Sequence, residues 1–340
     1  MGAGLFKRAA LYIAGTKVEE ISDVRVATAL LGFCMKSKVQ RETYGEIEGW
    51  IPDEVKNSVK ADNLGWKRRQ EIFSGDDDFE VILPLSNLFG FCDVHRLLYL
   101  IPIELELTRN DDDRFVFCGK NSFTSGGTAT PANPKSTITK LQWLVPSITP
   151  SAERKIAIHK LLASTDFIPM TFLKRSLHAM DVPERVSWII KTTSAHPRYL
   201  IIGFKNDDAG DYTKNNGSLN HASVKAIHVD LNGSLYPKHP MKLNFATKQV
   251  VDVYSAYMNF CLKNGNEPTI SLKEFIDLYT IYVIDTSAQS ESLRTNSILI
   301  KVEVEREAGS AKCRGYVLLL EDSNRMGIRI NEGVMSEWVS

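Results

Sequence analysis

The chain reads as a mainly β protein, a β-sandwich of jelly-roll type. Three observations carry that reading: short strand-like segments recur through its second half, turn residues punctuate them, and helix-period patterns are confined to the connections. From Ile138 onward about eight or nine segments have strand character. No short-period repeat of the solenoid or propeller kind is present.

The most regular stretch runs from His196 to Pro237. It holds two strand patterns, Arg198–Lys205 and Ser223–Leu231, joined by a polar loop and closed by Asn232-Gly233. Leu200, Ile201 and Ile202 are consecutive and apolar, so the first strand should be covered on both faces. In the second, Ile227, Val229 and Leu231 alternate with His228 and Asp230, which predicts one wet face. Asn-Gly after an alternating run predicts a tight hairpin, because both central residues of a type I′ turn need positive φ.

Taken in order, Val24–Lys38 places Val26, Ala29, Leu30, Phe33 and Cys34 as an amphipathic helix would. Glu46–Asp62 is polar and reads as loop. Phe79–Leu83 and Leu97–Thr108 read as strands, the latter alternating Ile103, Leu105 and Leu107 with Glu104, Glu106 and Thr108. With Arg114–Cys118 returning after Asn110–Asp113, a hairpin with an acidic tip is expected. Asn121–Lys135 is rich in Gly, Ser, Thr and Pro and reads as a linker or exposed loop.

Ile138–Val145 reads as a strand. Thr149-Pro150 then opens a helix through Ser164 that buries Ala157, Ile158, Leu161 and Leu162. Strands follow at Phe167–Arg175 and Val186–Thr192. Thr247–Lys263 is expected as a helix with Val250, Val251, Tyr254, Tyr257, Met258 and Cys261 on one side, ended by Gly265. Ser271 and Glu274 form a capping box for a short helix to Leu278. Thr280–Thr286, Ile298–Arg306, Gly315–Glu321 and Met326–Ile330 read as the closing strands.

At 340 residues the chain suits about two domains. Lys+Arg 41 against Asp+Glu 41 leaves no overall field to steer it toward nucleic acid or anionic membranes. No apolar run approaches the roughly 20 residues of a membrane helix. Lys7 and Arg8 inside Leu5–Ile13 argue against a secretory signal, and Phe6 stands where myristoylation needs Ser or Thr. The cysteines Cys34, Cys92, Cys118, Cys261 and Cys313 are odd in number and lack CxxC spacing, which points to reduced thiols in an intracellular product.

The search for chemistry assigns no catalytic, cofactor-binding or metal residue. His221, His228 and His239 lack spacings that converge on one ion, and His228 reads as a wet-face strand residue. Asp285-Thr286-Ser287 ends a strand without a GxSxG elbow. Glu303 and Glu305 share one solvated face by period two. Trp66-Lys67-Arg68-Arg69, beside Asp76-Asp77-Asp78, reads as a solvated basic turn. The aspartates at 111–113 lack the spaced ligands, mid-loop Gly and late Glu of a calcium loop. The glycines of Asn121–Lys135 lack the Lys-Ser/Thr of a P-loop.

Several segments in fixed order carry a family resemblance: LGWKRR from Leu64, FEVILPLSNLF from Phe79, LLYLIPIELELTRNDDDRF from Leu97, PRYLIIGF from Pro197, NGSLNH from Asn216, SVKAIHVDLNGSLYP from Ser223, VYSAYMNF from Val253, EFIDLYTIYVIDTS from Glu274 and SILIKVEVE from Ser297. Together they resemble the double jelly-roll major capsid protein, in the flavour of Polinton (Maverick) virus-like transposons and the adenovirus-like lineage. The match covers most of the chain from about Ala27.

That resemblance implies two jelly rolls side by side with short helices in the connections: a partial first roll over 1–135 and a second over 136–340. It implies a hexon-like capsid subunit that forms homotrimers and meets neighbouring capsomers and a penton or minor capsid protein. No enzymatic activity, cofactor, sequence-specific nucleic acid or membrane insertion is implied. The expected locations are the virion and the host cytoplasm or nucleus. Asn121–Lys135 and Thr247–Ser271 are the expected intersubunit loops. Met1–Glu20 matches no part of the family pattern, so the first roll is expected to lack its leading strands, as in a truncated or domesticated genomic copy. Two other readings stay open: a jelly-roll binding module for a glycan or protein ligand, with Tyr199 and Trp188 as platform aromatics, and an enzyme with an unrecognised site.

Overall fold

The structure is a computed structural model that describes residues 2–55, 63–73, 78–111, 113, 116, 122–125, 128–131, 135–191, 196–206, 217–289, 298–323, 326–331 and 334–339. β1 (Phe6–Ile13) and β2 (Thr16–Ser22) form a hairpin; α1 (Val24–Met35), α2 (Lys38–Ile47) and α3 (Leu64–Phe73) follow. β3 (Ile103–Arg109) pairs antiparallel with β1, giving a sheet ordered β2-β1-β3. β4 (Ser122–Ser125) and β5 (Thr128–Pro131) make a small hairpin inside the expected linker, and α4 (Ala152–Ala163) follows an extended stretch.

The second half is a complete two-sheet wrap. After β6 (Phe167–Pro169) come β7 (Leu173–Val182), β8 (Arg185–Ile190), β9 (Pro197–Asn206), β10 (Val224–Leu231) and β11 (Ser234–Lys242). α5 (Val251–Lys263) and α6 (Leu272–Asp277) lead to β12 (Ile281–Asp285), β13 (Ile300–Arg306) and β14 (Cys313–Asp322). The sheets are ordered β12-β9-β14-β7 and β11-β10-β13-β8, every pair antiparallel. Apart from the β10–β11 hairpin, each successive strand crosses to the opposite sheet, which is the jelly-roll path. Asn232 (φ 49) and Gly233 (φ 90) turn that hairpin as the sequence predicts. β15 (Gly327–Asn331) and β16 (Val334–Val339) pair with β6 in a separate sheet ordered β16-β15-β6.

The two sheets of the wrap have different burial, and the difference is written in their sequences. β13 alternates buried and half-buried residues, so its sheet has one wet face. Leu200, Ile201 and Ile202 of β9 and Val317, Leu318 and Leu319 of β14 are all 0% exposed. Their sheet is covered on both sides, as consecutive apolar residues demand.

α1 supplies that second cover. It packs against β9 and β14 on one side and β1 and β2 on the other. Phe33 lies edge-on to Trp50 and tilted against Tyr279, at 5.0 and 4.2 Å between ring centroids, and its carbonyl accepts a 3.0 Å hydrogen bond from the Tyr257 hydroxyl of α5. Burying Leu30, Leu31 or Phe33 stabilises by about 1.5–3 kcal/mol each.

A buried carboxylate ties β2 to the wrap. Glu19, 1% exposed, accepts hydrogen bonds from the backbone N–H groups of Gly90 (3.1 Å), Phe91 (2.8 Å) and Arg175 (2.8 Å). Gly90 is required by close approach: a Cβ there would lie 1.8 Å from the carbonyl oxygen of Leu173. The Arg175 guanidinium donates to Ser86 O and to Asp93 at 2.7 Å. Burial pushes the Glu19 carboxyl up to about 7, and the three N–H donors and Arg175 limit the rise. Phe91, Phe172 and Trp338 close the adjoining aromatic cluster.

Several expectations need correction. Residues 2–20, which match no part of the family pattern, hold most of the β1–β2 hairpin. Within the expected loop and basic turn lie the end of α2 and the start of α3, because Ser37 and Gln40 cap α2 and the half-buried Arg69 is held on Asp53. Phe79–Leu83 and Ile138–Val145 pair with no strand among the described residues. α4 begins after Ser151, two residues late; Ala157 and Leu161 are exposed, Ile158 is half-buried and Leu162 buried. Phe167–Arg175 is split between β6 and β7, and residues 327–331 join β6 and β16 instead of finishing the wrap. Most of Arg114–Cys118 lies outside the described residues.

Two outcomes follow. Gly90→Ala and Glu19→Ala should each lower stability, the latter by about 3 kcal/mol or more, because three buried N–H groups lose their acceptor; denaturant midpoints measure both. Glu19 titrates near 7 folded against 4.5 as a free side chain, so the unfolded chain releases its proton first. Its contribution to stability therefore falls as pH rises from about 4.5 to about 7, then levels. The wild-type stability minus that of Glu19→Gln should decrease across that window; a pH-independent difference refutes the assignment.

Candidate self-association surface

The titratable residues singled out from sequence are dispersed. Among the described residues no group of three or more His, Cys, Asp or Glu side chains is placed to hold a metal. His221 stacks on Phe245 at 4.4 Å and accepts from Ser223 N, His228 pairs across the strands with Glu303 at 3.2 Å, and His239 is exposed. Glu305 pairs with Arg185 at 2.7 Å on the wet face of the outer sheet. Arg68 pairs with Glu46, while Arg69 bonds Asp53 and the carbonyl of Ile51. Those basic residues are committed to the fold. Cys34, Cys261 and Cys313 are buried free thiols, and Cys92 is half-buried; Cys118 lies outside the described residues.

What the molecule does present is an apolar arm. Residues 137–149 are exposed and have no helix or strand. Leu144 is 81% exposed, and Leu141, Val145 and Ile148 are each more than half exposed. α4 continues this surface with Ile156 and Leu161. The arm is rooted at Ser136, whose hydroxyl accepts from Arg109 (2.8 Å) and whose N–H donates to Asp113 (2.7 Å). Contiguous exposed apolar surface of this kind marks an interaction site.

Beside the arm lies an open sheet edge. β3 pairs with β1 on one side and with no strand on the other among the described residues. A cleft of about 530 Å³ separates Trp143 from Tyr12, Glu104, Leu105 and Glu106. Glu106 is held by Arg8 and by the Tyr12 hydroxyl at 3.1 Å, a bond that raises the Tyr12 pKa.

A second groove, about 540 Å³, runs between α5 and the β12 edge. Met241, Phe260, Leu262 and Tyr199 line it, with Tyr199 edge-on to Phe260 at 4.9 Å. At its end the Lys263 ammonium meets Asp285 at 2.5 Å. Burial works upward on the Asp285 carboxyl, and Lys263 and Ser287 outweigh it, leaving it below the usual range. Asp285 is thus an ion-pair partner that also accepts the Ser287 hydroxyl, an arrangement that consumes the Asp285-Thr286-Ser287 motif. Trp188, 7% exposed, is core, so the two proposed platform aromatics do not form one platform.

Of the expected intersubunit loops, Thr247–Ser271 is chiefly α5, with Val251 and Leu262 exposed. The side chains of 121–134 lie outside the described residues. The arm was missed as a surface because Ile138–Val145 has a strand's composition, and a strand is assumed to be paired; the available signal was its position just after a linker.

A family model of the double jelly roll-like domain matches residues 44–324. A search of curated proteins returned no match. A chain in the cryo-EM structure of the Sputnik virophage aligns with a TM-score of 0.53 at 9% identity, covering 99% of this chain and 74% of that one. A chain of the PBCV-1 virus capsid aligns with a TM-score of 0.48 at 11% identity, covering 100% and 84%. At 9% identity the likeness to the virophage chain is one of fold. With the complete wrap of β7–β14 joined through α1 to a further sheet, and the family model spanning most of its length, the chain belongs to the double jelly roll-like domain family.

Proposed function

We propose that the chain is a structural capsid subunit, hexon-like, that works by self-association rather than catalysis. The observation that carries this reading is the pairing of a sandwich whose inner sheet is covered on both faces with an exposed apolar arm. The sandwich is a rigid wall, and the arm is surface that one copy leaves without a partner. The end-to-end fold likeness to a virophage chain supports it. In this reading residues 1–135 contribute a partial first roll and 136–340 the second, three copies form a pseudo-hexagonal capsomer, and capsomers meet one another and a penton or minor capsid protein in the virion. The ordered sequence segments point to the Polinton (Maverick) lineage, in a functional or a domesticated copy.

Multi-angle light scattering on the purified chain tests this. The expected mass at high concentration is three times that of the 38.2 kDa chain. A well-folded preparation that stays at the single-chain mass contradicts the reading.

A further inference from the structure

We propose that the arm at residues 137–145 adds as a strand to the open edge of β3 in a second copy of this chain. The inference rests on the self-association reading and specifies its contact. Four observations converge on it.

The first is a mismatch between sequence and fold. Ile138–Val145 has the β-branched and aromatic content of a strand, yet in its own chain it has no sheet partner among the described residues. Leu141, Trp143 and Val145 fall on one side by period two, with Lys140, Gln142 and Leu144 on the other. A segment with a strand's pattern and no ladder has backbone donors and acceptors available.

The second is the receiving edge. Among the described residues β3 ends its sheet, is half-exposed along its length, and offers a row of backbone groups with no strand beside it, of the kind that templates strand addition. Eight arm residues span roughly 26 Å and the seven of β3 roughly 23 Å when extended, so the two match in length.

The third is charge. From Lys135 to Pro150 the arm carries Lys135 and Lys140 and no acidic residue, whereas β3 presents Glu104 exposed, beside Glu106 and Asp111, which are exposed but already paired with Arg8 and Lys7. The fourth is the tether. Arg109 and Asp113 fix the root of the arm beside β3, while the cleft at Trp143 leaves its far part unpaired over the same sheet. A fixed root with a free limb can pass to a neighbour with little rearrangement. Each copy then gives one arm and receives one, a head-to-tail contact that closes as a ring.

Chains with one added cysteine test the exchange. Full-length Gln142→Cys and Glu106→Cys proteins are mixed, oxidised and run without reductant beside the wild type. A disulfide-linked dimer of the two different chains, well above the wild-type background, is expected. Leu144→Asp should lower the oligomer mass toward the single chain while leaving the circular dichroism spectrum unchanged. An oligomer that persists in Leu144→Asp with no mixed cross-link overturns the exchange and leaves the capsid reading standing. A monomeric wild type overturns both. Arm-dependent binding to phosphatidylcholine vesicles without self-association assigns the arm to a lipid surface and overturns the exchange.

Discussion

Eleven of the twelve residues of α1 are buried, so this helix has no wet side and can exist only where two β layers close over it. One layer is the β12-β9-β14-β7 sheet of the wrap; the other is the β2-β1-β3 sheet. The helix is therefore the common core of both units. Removing either layer would expose it, and its burial explains why the inner sheet is apolar on both faces while the outer one alternates. Glu19 extends the same joint at the edge, holding β2, the 90–91 backbone and the Arg175 backbone of β7 through one carboxylate. A joint made this way is stiff, because its polar parts are satisfied only in one geometry.

Described ionisable residues of the wrap form cross-strand pairs such as His228–Glu303 and Arg185–Glu305, and ahead of it Arg69 ties to Asp53. The residues left over are apolar and sit on the arm, on α4 and in the groove beside α5. On the self-association proposed above, single side chains matter less than continuity of area and backbone edges.

The wrap was legible in the sequence because its signals are local. Period two in β10 and β13, three consecutive aliphatics in β9, Asn232-Gly233 and the Ser271–Glu274 cap each encode one physical requirement, and each is met. The N-terminal hairpin was not legible. Lys7 and Arg8 break the apolar alternation of β1, and the cost of that break is repaid by Asp111, Glu20 and Glu106 from elsewhere. α1 was read as amphipathic although Arg25 is its sole charged residue, and the missing polar face was the sign that two layers would cover it. The arm failed for the opposite reason: its local pattern is a good strand, and whether a strand finds a partner is a tertiary fact. Glu19 and Gly90 could not be paired from sequence, since their contact spans 71 positions.

The claim that one helix holds both β layers together is most directly tested by native-state amide hydrogen exchange. If α1 is the shared core, the amides of Leu30, Leu31 and Phe33 should exchange in the slowest class, together with Val317–Leu320 of β14, through global unfolding. Exchange of α1 through a separate, lower-energy opening while β14 stays protected would contradict it.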